Sequence, residues 1–280
     1  MMDGYERVLA DMIAVAREAG ALTLEHFARF RDLEIGIKGP ADFVSEADRQ
    51  SEQLIRRALF SRYPDWSFTG EEFPPVDGAD REHRWLVDPI DGTTNFINGQ
   101  HYTISIALRR GSATVCGALY NPVADEMFTA IRGGGAFLNG ERLRVSEKTE
   151  IGMMAIGTGL PTSNLFAFPG FYERLKKIRD PVGAVRIVGS SANSCAFVAC
   201  GRLTGYFEES GLVDWAVGVL LVEEAGGVVT DWWGRGPEVY EQTGCVVVAN
   251  RATHAYLMEK LKYAPRKSAA PAMSTSNIGQ

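Results

Sequence analysis

The chain has 280 residues, of which 45% are hydrophobic and 23% are charged, and 29 Lys and Arg stand against 35 Asp and Glu for a formal net charge of −6. This length and composition predict a globular protein with one large domain or two closely packed halves, and they exclude a small disulfide-stapled module. The acidic balance argues against a general attraction to nucleic acid or to an anionic membrane. Because no apolar stretch approaches the roughly 20 residues that cross a bilayer and no signal peptide is apparent, a cytoplasmic location is predicted.

The first half of the sequence predicts two helices followed by short strands. Apolar residues at helical spacing cover residues 8–27, and a second helix is predicted to begin at Ser45, where Ser45-x-x-Asp48 resembles a capping box, and to end before Pro64. Runs of strand-forming residues follow, and the later ones would form an antiparallel meander. The predicted strands are residues 66–70, 85–87, 103–108, 113–120 and 127–131.

Beyond about residue 150 the pattern changes to alternating strands and helices. Strands are predicted at residues 185–188, 205–208, 228–230 and 245–249, and helices at residues 192–199, 215–224 and 253–261. An α+β half of residues 1–150 would therefore be followed by an α/β half of residues 151–264, with no linker between them. The tail of residues 265–280 lacks periodicity and is predicted to be disordered.

Two residue types outside these patterns also allow predictions. The four cysteines form no CxxC pair and stand among small or apolar residues, so they are predicted to be buried free thiols. Trp232 and Trp233 are predicted to lie on a surface or in a dimer contact.

The most informative segment is WLVDPIDGTTNF, residues 85–96. An apolar strand delivers Asp88 at its end, Pro89 is expected to stop further pairing of that strand, and Asp91 follows at the start of a predicted helix. Both carboxylates would converge on one point. Oxygen ligands at this spacing suit a hard cation such as Mg²⁺.

The same turn offers an anion site beside the two carboxylates. The backbone N–H groups of Gly92, Thr93 and Thr94 would be free at a helix N-terminus, where the helix dipole favours negative charge. An Asp-Gly turn that only caps an ordinary helix is the alternative. The whole string of two acids, a proline, a glycine and two threonines favours the metal and phosphate pocket.

Two further acidic groups strengthen this interpretation. Glu71 and Glu72 follow a predicted strand that ends in glycine, and Asp214 would begin an apolar helix, where N-capping explains an acid equally well. Clustered carboxylates repel one another, which shifts their pKa values or destabilises the fold. If Glu71, Asp88, Asp91 and Asp214 converge, the site therefore requires divalent cations.

The sequence resembles the inositol monophosphatase family of Mg²⁺-dependent, lithium-sensitive phosphatases. The motifs that carry this resemblance are DFVSEAD at 42–48, GEE at 70–72, DPIDGTTNF at 88–96, VGSSA at 188–192 and the helix of Asp214 that ends in EAGG at 224–227. They span nearly the whole chain before the tail, and DPIDGTTNF is highly specific. The resemblance implies a layered αβαβα sandwich of the inositol monophosphatase and fructose-1,6-bisphosphatase type, a Mg²⁺ cofactor, a small phosphorylated substrate and a homodimer.

The resemblance also implies roles for the matching positions. The implied metal ligands are Glu71, Asp88, the Ile90 carbonyl, Asp91 and Asp214. The implied catalytic residues are Thr93, oriented by Asp48 to activate the attacking water, together with Glu71. The implied substrate contacts are Asp91, Gly92, Thr93, Thr94, Ser190, Ser191, Glu208 and Glu209. The chemistry would be metal-assisted, in-line displacement on a phosphate monoester, without a covalent phosphoenzyme.

One departure from the family pattern concerns the substrate. Residues 208–215 read EESGLVDW, which is shorter than usual in the family and places tryptophan after the aspartate. Either Glu208 or Glu209 would face the substrate hydroxyls. Inositol monophosphate is the leading substrate, and histidinol phosphate or a 3′-phosphorylated adenosine nucleotide are alternatives. A non-catalytic regulatory or RNA-associated module with the same fold is the alternative of another class.

Overall fold

The computed structural model describes residues 4–39, 42–160, 170–236 and 243–261, so the tail predicted to be disordered lies outside the described residues. The elements up to residue 142 are α1 (Glu6–Phe27), β1 (Ile35–Gly39), β2 (Asp42–Ser45), α2 (Glu46–Arg62), β3 (Trp66–Gly70), β4 (Asp80–Asp91), α3 (Thr93–Ile97), β5 (Thr103–Arg110), β6 (Ala113–Asn121), β7 (Glu126–Ile131), β8 (Gly135–Leu138) and β9 (Glu141–Arg142). The later elements are β10 (Ala155–Thr158), α4 (Phe171–Arg179), β11 (Ala184–Arg186), α5 (Ser191–Ala199), β12 (Gly205–Glu209), α6 (Leu212–Glu224), β13 (Val228–Thr230), β14 (Cys245–Ala249) and α7 (Arg251–Leu261).

The larger sheet has the strand order β3-β4-β5-β6-β7-β8-β9. β3 runs parallel to β4, and every later neighbour is antiparallel, which confirms the predicted meander. The sequence suggests that Pro89 stops the pairing of β4, but the strand continues past it. The register shifts between Asp88 and Asp91, and Asp91 then pairs with Thr103, because a bulge accommodates a residue that lacks an N–H group.

Alternation along the strands assigns each face of this sheet to a different helix layer. Trp85 and Val87 pack with α1 and α2, whereas Leu86 between them packs with α5 and α6. Side chains alternate with a period of two along a strand, so Asp88 lies on the same face as Leu86. The carboxylate therefore points towards the helix layer between the sheets.

The smaller sheet completes a five-layer arrangement. Its order is β11-β10-β12-β14-β13, and it packs α5 and α6 on one face and α4 and α7 on the other. Helix α6 is apolar all round because it is buried between two sheets. The layers alternate helix, sheet, helix, sheet, helix, which confirms the predicted αβαβα sandwich.

Several smaller predictions can be compared with this fold. The division at residue 150 stays a prediction, although the larger sheet uses residues 66–142 and the smaller one residues 155–249. The cysteines are free and largely buried, as predicted. Trp232, which is predicted with Trp233 to lie on a surface or in a dimer contact, is only 2% exposed, because it packs in the outer core of the smaller sheet. Among the described helices, none has the length and apolar character needed to span a membrane.

Candidate active site

Two carboxylates lie at the end of β4, in the turn that leads to α3. Asp88 is 3% exposed and Asp91 is 6% exposed. The Ile90 N–H donates to Asp88 Oδ1 at 3.0 Å, and the Pro89 carbonyl accepts from Ser51 Oγ of α2 at 3.3 Å. Bonds within the turn and from α2 therefore fix the backbone that presents both acids.

Strand pairing brings Glu71 to the same place. β3 and β4 are parallel, and Gly70 lies opposite Val87 in their register, so the residues that follow each strand are neighbours. Glu71 is exposed, and its side chain lies within hydrogen-bonding distance of Asp88. Glu71 and Asp88 therefore lie side by side at the ends of adjacent strands, as predicted.

The carboxylates of this turn repel one another in a buried setting. Burial, followed by the charges of Glu71, Asp91 and Asp214, raises the pKa of Asp88 well above its usual range. Burial raises the pKa of Asp91 to about 7, although the Ser190 hydroxyl lowers it, and burial also raises the pKa of Asp214. The site therefore carries a negative potential that favours a cation.

Asp91 is oriented by the N-terminus of α5. Its Oδ2 accepts from the Ser190 hydroxyl, from the Ala192 N–H at 3.0 Å and from Thr103 Oγ1 at 3.1 Å, and its Oδ1 accepts from the Ser191 N–H at 3.2 Å. Free N–H groups in the first turn of a helix favour a carboxylate there. The VGSSA motif thus holds an acid of the site, and substrate contact by the two serines stays a prediction.

Asp214 is the third residue of α6, not the first as predicted. Its Oδ2 accepts from the Ser210 hydroxyl and from the Gly211 N–H at 2.9 Å, and the helix begins at Leu212. An acid at the third helical position reaches back to the residue before the helix in a capping box. This arrangement satisfies the helix terminus while holding Asp214 near Asp91.

The predicted water-activating pair is assembled by two helix starts. Asp48 is buried, and its Oδ2 accepts from the Ser45 N–H at 2.8 Å, as the predicted capping box requires, and also from the Ser45 hydroxyl at 2.6 Å. Its Oδ1 faces Thr93 Oγ1 at 3.1 Å, and this hydroxyl also lies 3.2 Å from the Ile90 carbonyl oxygen. Gly92, not Thr93, is the capping residue of α3. The Thr93 hydroxyl therefore does not cap this helix and instead contacts Asp48 and Ile90.

Gly92 is required by its backbone conformation. Its φ is +96°, in the left-handed region, and a Cβ there would lie 2.9 Å from the Gly189 carbonyl oxygen. Asn95 binds the same loop through its Nδ2, which donates to the Val188 carbonyl at 2.8 Å. Thr94 is exposed on α3. The N–H groups predicted to bind phosphate therefore begin a short helix that is tied to the segment before α5.

The structure separates the two glutamates at the end of β12. Glu208 accepts hydrogen bonds from the Ser191 hydroxyl and the Tyr206 hydroxyl, and burial raises its pKa to about 7. Glu209 is paired in the sheet with Cys245, whose side chain lies in the outer core with α4 and α7. Adjacent strand residues point to opposite faces, so Glu208 alone of the two faces the acid cluster.

The candidate ligands can be tested for their fit to a cation. Across the residues that the structure describes, no group of three or more His, Cys, Asp or Glu side chains has the arrangement of a metal site. The oxygens of Asp91 and Asp214 accept from local N–H and hydroxyl donors, with which a cation would compete. The donor set of Glu71, Asp88, Ile90, Asp91 and Asp214 is nevertheless all oxygen, the ligand type of hard divalent cations. By chemistry and charge these residues fit such an ion.

One residue of the site was missed in the sequence. Glu52 of α2 is 0% exposed, and its carboxylate accepts from the backbone N–H groups of Glu72 and Phe73. The available signal was its spacing, because Glu52 lies on the same stripe as the buried Ile55 and Leu59. An acid among core positions of an amphipathic helix marks a buried polar contact.

Nearly the whole chain is similar to one known protein family. The family model described as the inositol monophosphatase family matches residues 5–266, which is nearly the whole chain. The chain belongs to the inositol monophosphatase family. Membership of this family supports phosphatase activity for the chain. The inositol monophosphatase family is generally metal-dependent.

Named relatives cover most of the chain. The inositol-1-monophosphatase of Rhizobium meliloti (strain 1021) is 39% identical over 254 residues, which are 90% of this chain and 94% of that protein. The Nus factor SuhB of Escherichia coli (strain K12) is 37% identical over 241 residues, 85% of this chain and 89% of that protein. The crystal structure of the extragenic suppressor protein suhB from Bartonella henselae has a TM-score of 0.87 and 37% identity, and the match covers 92% of this chain and 99% of that one.

Proposed function

We propose that this chain is a Mg²⁺-dependent phosphomonoesterase that hydrolyses a small hydroxylated phosphate monoester, with inositol monophosphate as the leading substrate. The observation that carries this proposal is the buried acid cluster at the end of β4, where Asp88 and Asp91 lie near Glu71 and Asp214. Such a cluster is costly without a cation, and a phosphate ester is repelled by it unless cations are bound.

The proposed ligands are the carboxylates of Glu71, Asp88, Asp91 and Asp214 with the Ile90 carbonyl. Mg²⁺ held there would supply positive charge for the transition state and lower the pKa of a water molecule. The chain's own residues would orient the reactants, since the Thr93 hydroxyl donates a hydrogen bond to Asp48 and can accept one from the attacking water.

The phosphate and the hydroxylated part of the substrate would contact different residues around this cluster. The N–H groups of Gly92, Thr93 and Thr94 would hold the phosphate oxygens. Glu208 would accept hydrogen bonds from substrate hydroxyls, and its orientation towards Ser191 and away from the outer core supports this role. Glu209 is not part of the proposed site.

Catalysis is favoured over a non-catalytic role by one specific observation. Thr93 and Asp48 are paired at 3.1 Å beside the acid cluster, and a module that only binds other macromolecules has no need of this pair. Relatives named Nus factor SuhB match nearly as well as the phosphatases, so similarity alone does not separate the roles. Nucleic acid stays outside the proposal because the net charge is −6. Homodimerisation, a cytoplasmic location and lithium sensitivity stay predictions.

The decisive experiment is a substrate panel assayed with and without Mg²⁺. We expect phosphate release from inositol monophosphate to exceed that from histidinol phosphate and from a 3′-phosphorylated adenosine nucleotide, and excess EDTA to abolish it, because only cations can bring the phosphate to the carboxylates. Activity should return when Mg²⁺ is restored. Full turnover in EDTA would exclude the metal mechanism, and no turnover on any ester in Mg²⁺ would favour the non-catalytic module.

The same panel tests the choice between the two glutamates. We expect Glu208→Gln to raise KM for inositol monophosphate by up to about 10-fold, because a hydrogen bond contributes about 0.5–1.5 kcal/mol. Glu209→Gln makes the same chemical change one residue later and should leave KM close to that of the wild type. Equal KM values for Glu208→Gln and the wild type, with a raised value for Glu209→Gln, would reverse the assignment.

A further inference from the structure

The segment that carries Glu71 is held by a buried carboxylate from another element. Glu52 Oε2 accepts from the Glu72 N–H at 2.7 Å, and Glu52 Oε1 accepts from the Phe73 N–H at 3.3 Å. Residues 71–73 belong to neither a helix nor a strand. Their backbone is therefore tied to α2 by these side-chain bonds.

The residue before this segment permits the contact. A Cβ added to Gly70 would lie 2.2 Å from Glu52 Oε1, well inside the van der Waals contact distance, so the carboxylate would have to move. The carboxylate thus packs directly against the end of β3. Gly70 is needed here for close approach of a side chain to the backbone.

We propose that Glu52 is a positioning residue, which fixes the backbone after β3 so that Glu71 lies beside Asp88. This inference rests on the proposed function, in which Glu71 is a metal ligand. Without the bonds from Glu52, an exposed glutamate after a strand end would sample many positions, and ordering it on a cation would cost conformational entropy. Glu52 removes that cost before the cation binds.

The placement of Glu52 also links the two parts of the site. Asp48 and Glu52 are four residues apart on α2, so they lie on one face of the helix. Asp48 orients Thr93, and Glu52 orients the backbone next to Glu71. One rigid helix therefore sets the position of the water-activating pair relative to a proposed ligand.

The test measures metal binding without substrate, with Mn²⁺ as the probe and free Mn²⁺ followed by electron paramagnetic resonance. We expect Glu52→Gln to raise the Kd for Mn²⁺ on the order of 10-fold, the usual effect of losing a group that orients a metal ligand. The Gln amide group would place N–H donors against a backbone N–H, which displaces the loop. Amide hydrogen exchange at Glu72 and Phe73 should also become faster in the metal-free variant.

Two control variants separate positioning from general destabilisation. Leu59→Ala lies two turns further along α2 and removes a fully buried side chain, so it should lower the thermal midpoint and leave the Kd for Mn²⁺ unchanged. Glu82→Gln removes the same charge from an exposed position and should change neither value. If Glu52→Gln fails to fold, Gly70→Ala tests the same contact from the other side and should raise the Kd for Mn²⁺ similarly.

A double-mutant cycle decides whether Glu52 acts through Glu71. Glu71→Gln alone should raise the Kd for Mn²⁺, and adding Glu52→Gln to it should raise the Kd no further, because the residue being positioned is already lost. A wild-type Kd in folded Glu52→Gln, or losses that simply multiply, would overturn the inference while leaving the proposed function intact. A wild-type Kd in Glu71→Gln would remove the ligand role of Glu71 and the inference with it.

Discussion

Asp91→Asn is expected to lose on the order of 100-fold or more in kcat/KM, because a lost ligand charge removes several kcal/mol of transition-state stabilisation. The fold should persist, since Asn has nearly the same volume and its oxygen can still accept from Ala192 N–H and Thr103 Oγ1. Its amide nitrogen would face the Ser191 N–H and lose one hydrogen bond, worth about 1 kcal/mol. Relief of repulsion from Asp214 opposes that loss, so the metal-free thermal midpoint should stay near that of the wild type.

The pH dependence of the stability of the metal-free protein tests the raised pKa of Asp91. The unfolded chain releases this proton near the ordinary pKa of 3.8, whereas the folded protein holds it up to about 7. Between these values the folded state binds more protons than the unfolded state, so the free energy of unfolding falls as the pH rises. The thermal midpoint in EDTA should fall with rising pH for the wild type and less steeply for Asp91→Asn.

An exposed aspartate provides the charge-matched control for Asp91→Asn. Asp77→Asn removes an exposed carboxylate that is paired with Arg84, and it should keep both the activity and the steeper pH dependence. Wild-type turnover in a correctly folded Asp91→Asn protein would show that Asp91 is not a principal ligand. The buried acids Asp88 and Asp214 shift in the same direction, so some pH dependence should remain in Asp91→Asn.

Thr93→Ala is expected to lower kcat on the order of 10²-fold while changing KM little, because positioned proton transfer contributes about that much to the chemical step. The Thr93 hydroxyl lies 3.1 Å from Asp48 Oδ1, and Gly92 occupies the capping position of α3. Loss of the hydroxyl should therefore cost little helix stability. Measuring kcat, KM and the thermal midpoint separates the catalytic role from a capping role.

Two further variants sharpen this prediction. Thr93→Ser keeps the hydroxyl and should retain most of kcat. Asp48→Asn would turn an acceptor towards Thr93 into a donor if its oxygen keeps the bonds from Ser45, so kcat should fall as in Thr93→Ala. A loss of stability with unchanged kcat in both Thr93→Ala and Asp48→Asn would leave these residues a structural role alone.

Much of the fold could be predicted because its signals are local. The helical spacing of residues 8–27, the capping box at Ser45 and the strand pattern of the meander are properties of neighbouring residues. The short elements β1, β2, β8, β9, β10 and α4 were not predicted, since strands of two to five residues and a strongly polar helix carry little periodic signal. The extension of β4 past Pro89 depends on a bulge that only pairing with β5 reveals.

The sequence by itself determined which residue types make up the candidate site. The spacing of Asp88 and Asp91, the acids after a strand end and the pair of Thr93 with Asp48 were all named from motifs and the family resemblance. These motifs are short and contain several functional residue types, so their chemistry can be predicted without knowledge of the fold.

Only the tertiary structure decided how these residues are supported. Asp91 contacts the N-terminus of α5, about a hundred residues later in the chain. Glu208 and Glu209 lie on opposite faces of β12. Glu52 of α2 contacts the backbone of the segment that carries Glu71. Each of these contacts joins elements that are distant in the chain. Strand register and the packing of helix layers bring such elements together, and neither is encoded in the spacing of neighbouring residues.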